Sequence, residues 1–332
     1  MNQQLDILTL GRCSLDLFSE QIGADFVDIK SFTTMVGGSP TNIAIGTHRL
    51  GLHSAAVTAV GADVVGDFVR NYLSKEGVTT DYVLTKAGST ALAILGVKPP
   101  SEFPLTFYRD DPPDQYISVE DMKTLPLDSV PLALVAGSNF AYLHLRDATL
   151  FLAKHGRKQG ATIAIDLDLR TSLWQYPDAY TQNMQTVLPH CHIIIGTEEE
   201  MWGALSDEPG LVWNGRSLPS EKIPVLDTLI TQSLGAEQTI VLKRGPKGAT
   251  IFRNGRSPLD VAGFPVEVLN TVGAGDSFAS GLLYGRRQGW DWQKATRFAN
   301  ACGAIVVTRH GCSTALPTLP EVKTFAQARG GF

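Results

Sequence analysis

Short runs of β-branched and aliphatic residues alternate with segments of helical periodicity along most of the 332-residue chain. Such alternation is typical of a mostly parallel sheet, because parallel strands need crossovers and the crossover helices cover both faces of the sheet. The predicted strands are 7–10, 55–60, 132–136, 162–166, 192–195, 239–243 and 249–252. The predicted helices are 39–50, 64–76, 147–159, 180–188, 225–234, 275–288 and 292–308. We therefore expect an α/β protein built as a three-layer αβα sandwich.

The first predicted helix has the clearest end signals. Ser39 and Pro40 supply an N-cap and a first-turn proline, and Gly51 stands where a C-terminal capping glycine belongs. One face of the segment between them carries Ile43, Ala44, Thr47 and Leu50. The spacing predicts a helix of about three turns.

Two regions interrupt the alternation. Residues 12–36 contain strand-like pieces without a helix, and residues 90–108 contain two more strands, 91–97 and 105–108, connected through Pro99, Pro100 and Pro104. We expect these regions to form a small β-sheet lid beside the main sheet. No internal repeat and no linker rich in proline, glycine or serine divides the chain, so residues 1–332 are predicted to form a single domain.

The composition excludes several classes of protein. Lys and Arg number 28 against 33 Asp and Glu, a net charge of −5, whereas binding to a phosphate backbone requires a basic excess. The four cysteines are far apart and form no C-x-x-C pair, so neither a disulfide framework nor a zinc ribbon is indicated. The N-terminus lacks a basic region, Asp6 interrupts its first apolar run, and no apolar run is long enough to cross a membrane. We expect a cytoplasmic protein that binds neither nucleic acid nor a membrane.

The segment 270–278 reads Asn-Thr-Val-Gly-Ala-Gly-Asp-Ser-Phe and leads directly into a predicted helix. Gly273 and Gly275 leave the backbone bare at the helix start, where unpaired N–H groups and the helix dipole attract an anion such as phosphate. Asp276 follows in the first turn, where a carboxylate makes chemical sense if it accepts the proton of an attacking hydroxyl group. Alternatively, these residues form only a tight turn with Asp early in the helix.

Other phosphate-binding motifs do not fit the sequence. No G-x-x-x-x-G-K-[ST] loop occurs, since Gly-Pro-Lys-Gly at 245–248 has the wrong spacing, and no G-x-G-x-x-G follows the first strand. Walker-type and dinucleotide sites are therefore disfavoured, and with them a dinucleotide oxidoreductase.

A second glycine pair, Gly37 and Gly38, precedes the first helix. Glycines there let a polyhydroxy ligand approach the backbone, and Asn42, in the first turn of the helix, offers both a donor and an acceptor to hydroxyl groups. The alternative is that the glycines are only a flexible entry to the helix.

Together, residues 37–42 and 273–276 resemble the N-terminal and C-terminal signatures of the PfkB, or ribokinase-like, carbohydrate kinases. The resemblance covers essentially the whole chain. It implies a ribokinase-like fold and the transfer of a phosphoryl group from ATP, with Mg²⁺, to a sugar hydroxyl. Asp16, after the first strand, is similar to the acidic residue with which the family grips sugar hydroxyls. The implied site residues are the base Asp276, the anion hole Gly273, Ala274 and Gly275, and the sugar contacts Asp16, Gly38 and Asn42.

Two arginines on the sugar side narrow the expected substrate. Arg109 follows strand 105–108, and Arg170 follows strand 162–166, at the carboxyl edge where ligands bind in open α/β sheets. A guanidinium group suits a carboxylate or a polarised ketone, so the pair favours a keto-acid sugar. A surface ion pair is the alternative for each arginine.

Four further segments resemble the family members that phosphorylate 5-dehydro-2-deoxy-D-gluconate in inositol catabolism. They are 103–109, 166–174, 196–200 and 309–318. Kinases of 2-keto-3-deoxygluconate share several of these features. The resemblance therefore implies the first substrate and leaves 2-keto-3-deoxygluconate and fructose open.

The nucleotide side is implied by the same resemblance. Many members carry Asn-x-x-Glu near the metal and the phosphates, and here Thr197 and Glu200 stand at those two positions. Glu200 would act on Mg²⁺ through water, although an exposed place in the acidic start of a helix is the alternative. The remaining implied contacts are Lys243, Gly245 and Gly248 in a nucleotide loop, where a solvated turn is the alternative, and Asn300 beside the adenine pocket, where a helix-surface amide is the alternative.

Three questions stay open at this stage. The family analogy implies a monovalent cation such as K⁺ near Asn270, Val272 and Cys312, but many members have Asp where Asn270 stands. The apolar lid face with Phe32, Ala91, Ala93 and Leu95 can either pair in a homodimer or pack onto its own domain. A regulator that binds sugar or nucleotide without catalysis is the alternative of a different class, although the intact Asp276 argues against it.

Overall fold

The computed structural model describes residues 4–99 and 102–332, so Pro100 of the predicted lid connection lies outside the described residues. The chain divides into two compact units. One runs to Ile117 and resumes at Phe264, and the other is Ser118–Gly263. The single domain 1–332 stays a prediction.

Within the described residues the chain forms thirteen strands and ten α-helices. The strands are β1 (Ile7–Leu10), β2 (Ser14–Ser19), β3 (Phe32–Gly37), β4 (Ser54–Val60), β5 (Val83–Thr85), β6 (Leu92–Leu95), β7 (Leu105–Tyr108), β8 (Leu132–Ala136), β9 (Thr162–Asp166), β10 (Ile193–Thr197), β11 (Thr239–Lys243), β12 (Ala249–Arg253) and β13 (Leu259–Val261). The helices are α1 (Ser39–Arg49), α2 (Val64–Lys75), α3 (Val119–Lys123), α4 (Leu143–Lys158), α5 (Pro177–Val187), α6 (Glu198–Leu205), α7 (Ile223–Ser233), α8 (Ala274–Arg287), α9 (Trp292–Val307) and α10 (Leu319–Gln327).

In the first unit, strands β1, β4 and β5 pair in parallel, with Ile7 opposite Ser54 and Thr58 opposite Val83. Every residue of β4 is buried, as a strand covered on both faces requires. Helix α1 packs on α8, where Gly46 lies so close to Ser280 that a side chain at position 46 would overlap its hydroxyl. This contact brings the two glycine-rich segments to the same place, although the residues that meet, such as Asn42 and Asp276, are 234 positions apart in sequence.

The first unit also contains a second, four-stranded sheet in the order β3-β2-β6-β7. Strands β2 and β3 are antiparallel, β2 and β6 are parallel, and β6 and β7 are antiparallel. The prediction of a small sheet from 12–36 and 90–108 is confirmed. Its inner face packs within its own unit, because Phe18, Met35, Ala93 and Leu95 share one buried cluster with Cys312. Of the predicted lid face, Ala91, Ala93 and Leu95 are therefore covered by their own unit, the second of the two predicted possibilities, whereas Phe32 is half-buried.

In the second unit, β8, β9, β10 and β11 are parallel and follow one another in the sheet, and β12 and β13 extend the sheet in antiparallel pairing. Helix α4 packs on β8 and β9, and helix α6 packs on β10 and β11. The predicted α/β fold with a mostly parallel sheet is confirmed. The carboxyl ends of β9, β10 and β11 place Asp166, Thr197 and Lys243 at one edge of the sheet.

The structure corrects two local predictions. Ser39 is the first residue of α1 and not its N-cap; that place belongs to Gly38, whose φ of +102° suits glycine. Helices α3, α6 and α10 and strands β5 and β13 lie outside the predicted helices and strands, although an acidic helix start at Glu200, in the first turn of α6, is one of the alternatives given above. Among the described residues, no helix has the length and apolar character needed to span a bilayer.

Candidate active site

The start of α8 lies at the position predicted for the anion pocket, which stays a prediction. Gly273 caps the helix with a φ of +84°, and a Cβ there would lie 2.7 Å from the Cys312 sulfur, so only glycine fits without strain. Considering the described residues alone, the N–H groups of Gly273 and Gly275 have no hydrogen-bond partner, whereas the N–H of Ala274 donates to the Thr271 carbonyl at 3.3 Å. The residues 273–276 are only half-buried, so the pocket is open to solvent. Two of its three predicted donors are directly available to an anion.

Asp276 lies in the first turn of α8 and contacts a residue from the other glycine-rich segment. The Asn42 side chain donates from Nδ2 to Asp276 Oδ2 at 2.8 Å, and its second N–H faces the Cys312 sulfur at 3.1 Å. The structure thus joins the predicted base to a predicted sugar contact. Asn42 is only 3% exposed, and its Oδ1 has no hydrogen-bond partner in the part of the chain that is described. A buried acceptor of this kind is suited to a donor from a ligand.

Asp16 supplies a second carboxylate to this pocket. It lies on β2, is 7% exposed, and accepts a hydrogen bond from the Ser14 hydroxyl at 2.6 Å. Burial raises its pKa to about 6; the Ser14 hydroxyl and the Arg12 guanidinium oppose the rise, and the nearby Asp276 adds to it. Across the β2–β3 pair, Gly37 faces this carboxylate so closely that any side chain at position 37 would overlap it.

The two remaining sugar-side positions of the first unit have local structural roles. A side chain on Gly38 would overlap the Arg12 carbonyl, so the glycine is required by the neighbouring backbone, and its contact with a sugar stays a prediction. The Arg109 guanidinium is buried and forms a two-point ion pair with Asp114, at 2.6 Å and 3.3 Å. Asp114 also accepts from the Cys13 N–H at 3.1 Å. Sequence reasoning missed Asp114, and the sugar contact of Arg109 stays a prediction.

In the second unit, a lysine lies between two buried carboxylates. Lys243 Nζ is 3.3 Å from Asp166 and 3.6 Å from Glu200. Glu200 is 9% exposed, so the alternative of an exposed glutamate is wrong. Glu200 and Thr197 form a capping box: Glu200 Oε2 accepts from the Thr197 N–H at 2.8 Å, and the Thr197 hydroxyl accepts from the Glu200 N–H at 3.3 Å. The Thr197 hydroxyl is thus used at the helix start.

Arg170 pairs with an aspartate that sequence reasoning assigned no role. Arg170 lies 2.9 Å from Asp168, and its side chain is 41% exposed. Asp168 is 3% exposed, has the unusual φ of +36°, and accepts from the Ser138 hydroxyl at 2.6 Å. A non-glycine residue held at positive φ marks a place where the surrounding structure constrains the backbone. The Asp-x-Asp spacing at the end of a buried strand was the available signal.

The loop after β11 combines an open glycine, Gly245, and a tightly packed one, Gly248, with a fixed arginine. Gly245 and Gly248 both have positive φ, and a Cβ on Gly245 would meet no atom within 4 Å. Arg244 is held by Glu198 at 2.6 Å and by Asp227 at 2.7 Å, so this basic side chain is not a solvated one. Asn300, on α9 of the first unit, is 8% exposed, so the alternative of a helix-surface amide is wrong.

Each unit therefore presents one kind of chemistry. The first unit combines two carboxylates, a buried amide oxygen and bare backbone N–H groups, which suits hydroxyl groups beside an anion. The second unit combines a lysine, two carboxylates and a glycine-containing loop at the carboxyl edge of parallel strands, where α/β sheets bind ligands.

Comparison with known proteins agrees with this arrangement. The family model described as pfkB family carbohydrate kinase matches residues 4–319. The chain is 30% identical to the 5-dehydro-2-deoxygluconokinase of Geobacillus thermodenitrificans over 325 residues, covering 97% of this chain and 93% of that protein. It is also 30% identical to the 5-dehydro-2-deoxygluconokinase of Bacillus subtilis, covering 98% and 96%.

Solved structures share the fold. The 2-dehydro-3-deoxygluconokinase of Thermotoga maritima superposes with a TM-score of 0.84 at 22% identity, covering 97% of this chain and 99% of that one. A putative ribokinase II of E. coli in complex with ATP and Mg²⁺ superposes with a TM-score of 0.80 at 23% identity, covering 98% and 100%. The predicted ribokinase-like fold is confirmed, and with a family model that matches nearly its whole length the chain belongs to the pfkB family of carbohydrate kinases.

Proposed function

We propose that this protein transfers the γ-phosphoryl group of ATP to a primary hydroxyl group of a keto-acid sugar, with 5-dehydro-2-deoxy-D-gluconate as the first candidate. The names of the relatives at 30% identity support this substrate. The observation that carries the proposal is the contact of Asp276 with Asn42 beside the bare N–H groups of the α8 start.

Asp276 would act as the general base. It accepts the proton of the sugar hydroxyl as that oxygen attacks the γ-phosphorus, and the bond from phosphorus to the leaving oxygen breaks. The N–H groups of Gly273 and Gly275 would stabilise the negative charge of the transferred group. Ala274 would join them once its long bond to Thr271 is given up.

The sugar would be held by buried polar groups of the first unit. Asp16 accepts hydrogen bonds from hydroxyl groups, and Asn42 Oδ1, which lacks a partner among the described side chains and backbone, accepts another. Gly38 allows close approach of the ligand to the backbone. Arg109 and Arg170 are proposed for the carboxylate or ketone, which requires that each shares its guanidinium with its aspartate partner.

In the second unit, Lys243, Thr197, Gly245 and Gly248 are proposed as nucleotide contacts. In the first unit, Asn300 is proposed as a separate adenine contact. Asp166 and Glu200 offer carboxylate oxygens, which Mg²⁺ prefers, and the Lys243 ammonium that now lies between them would have to turn toward the phosphates. Mg²⁺, when bound, neutralises charge on the ATP phosphates. Glu200 would reach it through water, since one of its oxygens caps α6.

We propose that no monovalent cation is needed at the loop of Asn270, Val272 and Cys312. The fully buried Asn270 donates to the Gly311 carbonyl at 3.0 Å and accepts from the Val272 N–H at 3.0 Å. The neutral Asn270 amide already bonds the Gly311 carbonyl and the Val272 N–H, so no cation is needed to hold these backbone groups together. Activity that is equal in K⁺ and in tetramethylammonium salts supports this, and strict dependence on K⁺ contradicts it.

The decisive experiment is a coupled kinase assay across 5-dehydro-2-deoxy-D-gluconate, 2-keto-3-deoxygluconate and fructose, for wild type and Asp276→Asn. We expect the keto acids to be preferred and the variant to lose at least about 10²-fold in kcat, with sugar and ATP affinities from calorimetry little changed. Asp291→Asn, the same change at the N-cap of α9, is the matched control. Near-normal turnover of Asp276→Asn would remove it as the base.

The rival substrates and the non-catalytic alternative are decided by the same assay. Preference for 2-keto-3-deoxygluconate or fructose replaces the substrate but keeps the chemistry. Binding of sugar and ATP without any ATP consumption favours a regulator.

Two further properties complete the proposal. We propose a cytoplasmic location, supported by four buried free cysteines, which suit a reducing compartment. We also propose a homodimer through the outer side of the lid, where Val27 is 90% and Tyr108 58% exposed. Sedimentation of the intact protein tests the dimer, and a monomer at micromolar concentration contradicts it.

A further inference from the structure

We propose that Asn42, besides touching the sugar, is a positioning residue that keeps Asp276 ionised and correctly turned next to a second carboxylate. This inference rests on the proposed role of Asp276 as the base. It assigns the amide nitrogen of Asn42 a task of its own, distinct from that of its oxygen.

The hydrogen bonds of Asn42 fix which way its amide points. Both N–H groups have acceptors, Asp276 Oδ2 at 2.8 Å and the Cys312 sulfur at 3.1 Å. Turning the amide around would place its oxygen against a carboxylate oxygen, which is repulsive. The nitrogen is therefore committed to Asp276, and Oδ1 is the atom left for the ligand.

Helix packing holds this contact in register. Asn42 and Gly46 lie one turn apart on α1, and Asp276 and Ser280 lie one turn apart on α8. The close approach of Gly46 to Ser280 and the Asn42–Asp276 hydrogen bond are thus successive contacts of one helix pair. The Ser280 hydroxyl also donates to the Asp276 carbonyl at 2.7 Å, which steadies the same turn.

The hydrogen bond from Asn42 is needed because the Asp276 carboxylate lies near a second carboxylate, that of Asp16. The titratable groups around the pair come from separate elements: Arg12 and Asp16 at β2, Cys312 after α9, and Asp276 on α8. Two nearby carboxylates, of which Asp16 is buried and Asp276 half-buried, disfavour double ionisation, and one of them tends to hold a proton. A donor to Asp276 directs that proton to Asp16, whose pKa burial already raises. The base then stays ready to accept the proton of the sugar hydroxyl.

The test is the pH dependence of kcat/KM for Asn42→Ala. Without the donor, Asp276 takes up a proton more readily, so the acidic limb of the profile moves to higher pH by about one unit. The activity lost at pH 6 is then largely regained at pH 9. A purely structural effect lowers activity by the same factor at every pH. Asn42→Ala also loses the sugar contact of Oδ1, and this loss should raise the KM for the sugar by the same factor at every pH.

Two other variants keep the test sharp. Thr47→Val removes a buried hydroxyl from the same helix, where it bonds to Ile43 and Ser54 and touches neither carboxylate, so its acidic limb stays in place. Cys312→Ala removes the acceptor that turns the amide, and we expect a smaller shift in the same direction. Cys312→Ser keeps an acceptor and keeps the wild-type limb. If Asn42→Ala folds poorly, the comparison of Cys312→Ala with Cys312→Ser still tests the positioning role.

The outcomes separate this inference from the proposed function. If Asp276→Asn is inactive while Asn42→Ala and Cys312→Ala keep the wild-type acidic limb, the positioning role is overturned and the kinase chemistry stands. If Asp276→Asn turns over normally, the proposed function itself is wrong.

Discussion

Asp16→Asn should stabilise the folded protein at neutral pH. The Asp16 carboxyl is buried, and its pKa is raised from 3.8 to about 6, chiefly by burial. A folded-state value above the unfolded one means that the stability supplied by this group is fully present below about pH 3.8 and is lost as the pH rises through 6. At about 1.4 kcal/mol per pH unit, the ionised carboxylate lowers the free energy of unfolding by about 3 kcal/mol at pH 8.

The asparagine removes this penalty and can still accept the Ser14 hydrogen bond. Urea denaturation should therefore show a gain approaching about 3 kcal/mol at pH 8 and about half of that at pH 5. The same variant should bind the sugar more weakly, because a carboxylate accepts hydroxyl hydrogen bonds better than an amide does. Stability and affinity would then move in opposite directions, as they do where a site holds a strained charge.

Asp63→Asn is the matched control, because its pH trend has the opposite sign. Although burial opposes it, the N–H groups of Thr90 and Gly66 lower the pKa of Asp63, so that variant should lose stability, and more so at pH 8 than at pH 3. An Asp16→Asn variant that is no more stable than wild type at pH 8, or equally stabilised at both pH values, would refute the reasoning about burial.

Three further predictions concern stability and reactivity. Asp114→Asn leaves the Arg109 guanidinium buried without its counter-charge, so urea denaturation should show that the free energy of unfolding falls by about 3–5 kcal/mol. Glu237→Gln breaks the more exposed pair with Arg157 and should change the free energy of unfolding little. Equal effects of the two variants would contradict the argument. Gly38→Ala should destabilise by well over the roughly 1 kcal/mol expected for Gly51→Ala, because both glycines have positive φ but only at position 38 does a Cβ collide with a carbonyl; thermal unfolding of the two variants measures the difference. The native protein should react very slowly with a thiol reagent at pH 7.5, since all four cysteines are buried and burial raises the pKa of Cys13 and Cys191 to about 12; rapid labelling of two or more thiols before denaturant is added would be inconsistent with this core.

Much of the sheet was predictable because its strands are buried apolar runs with sharp ends. The strands 132–136, 162–166 and 239–243 have the predicted bounds. Helix α6 could not be predicted from hydrophobic periodicity, because its eight residues are too few to show a periodic pattern. Its start was nevertheless readable, since Thr197 and Glu200 have the spacing of a capping box.

The site was predictable where local chemistry identifies it and not where partners are distant. Gly273 and Asp276 could be identified because both belong to one motif of four consecutive residues, 273–276. The pairing of Asn42 with Asp276 depends on how α1 packs on α8, and no pattern in either segment encodes that contact. Asp114 was missed for a similar reason, since its role depends on where it is buried: it pairs with Arg109 and accepts a hydrogen bond from the Cys13 N–H. The three-dimensional arrangement decides such pairs, because burial turns an ordinary acid into an essential counter-charge.

The close approach of Gly37 to Asp16 constrains how this protein can diverge. Any methyl group at position 37 needs the space that the acid now fills, so position 37 cannot gain a side chain while Asp16 is present. A descendant that abandons the carboxylate, and with it the present ligand, would at the same time free the neighbouring strand to acquire a side chain. Relatives with a side chain at position 37 should accordingly lack the acid at position 16, and this pair of changes would mark a shift of substrate.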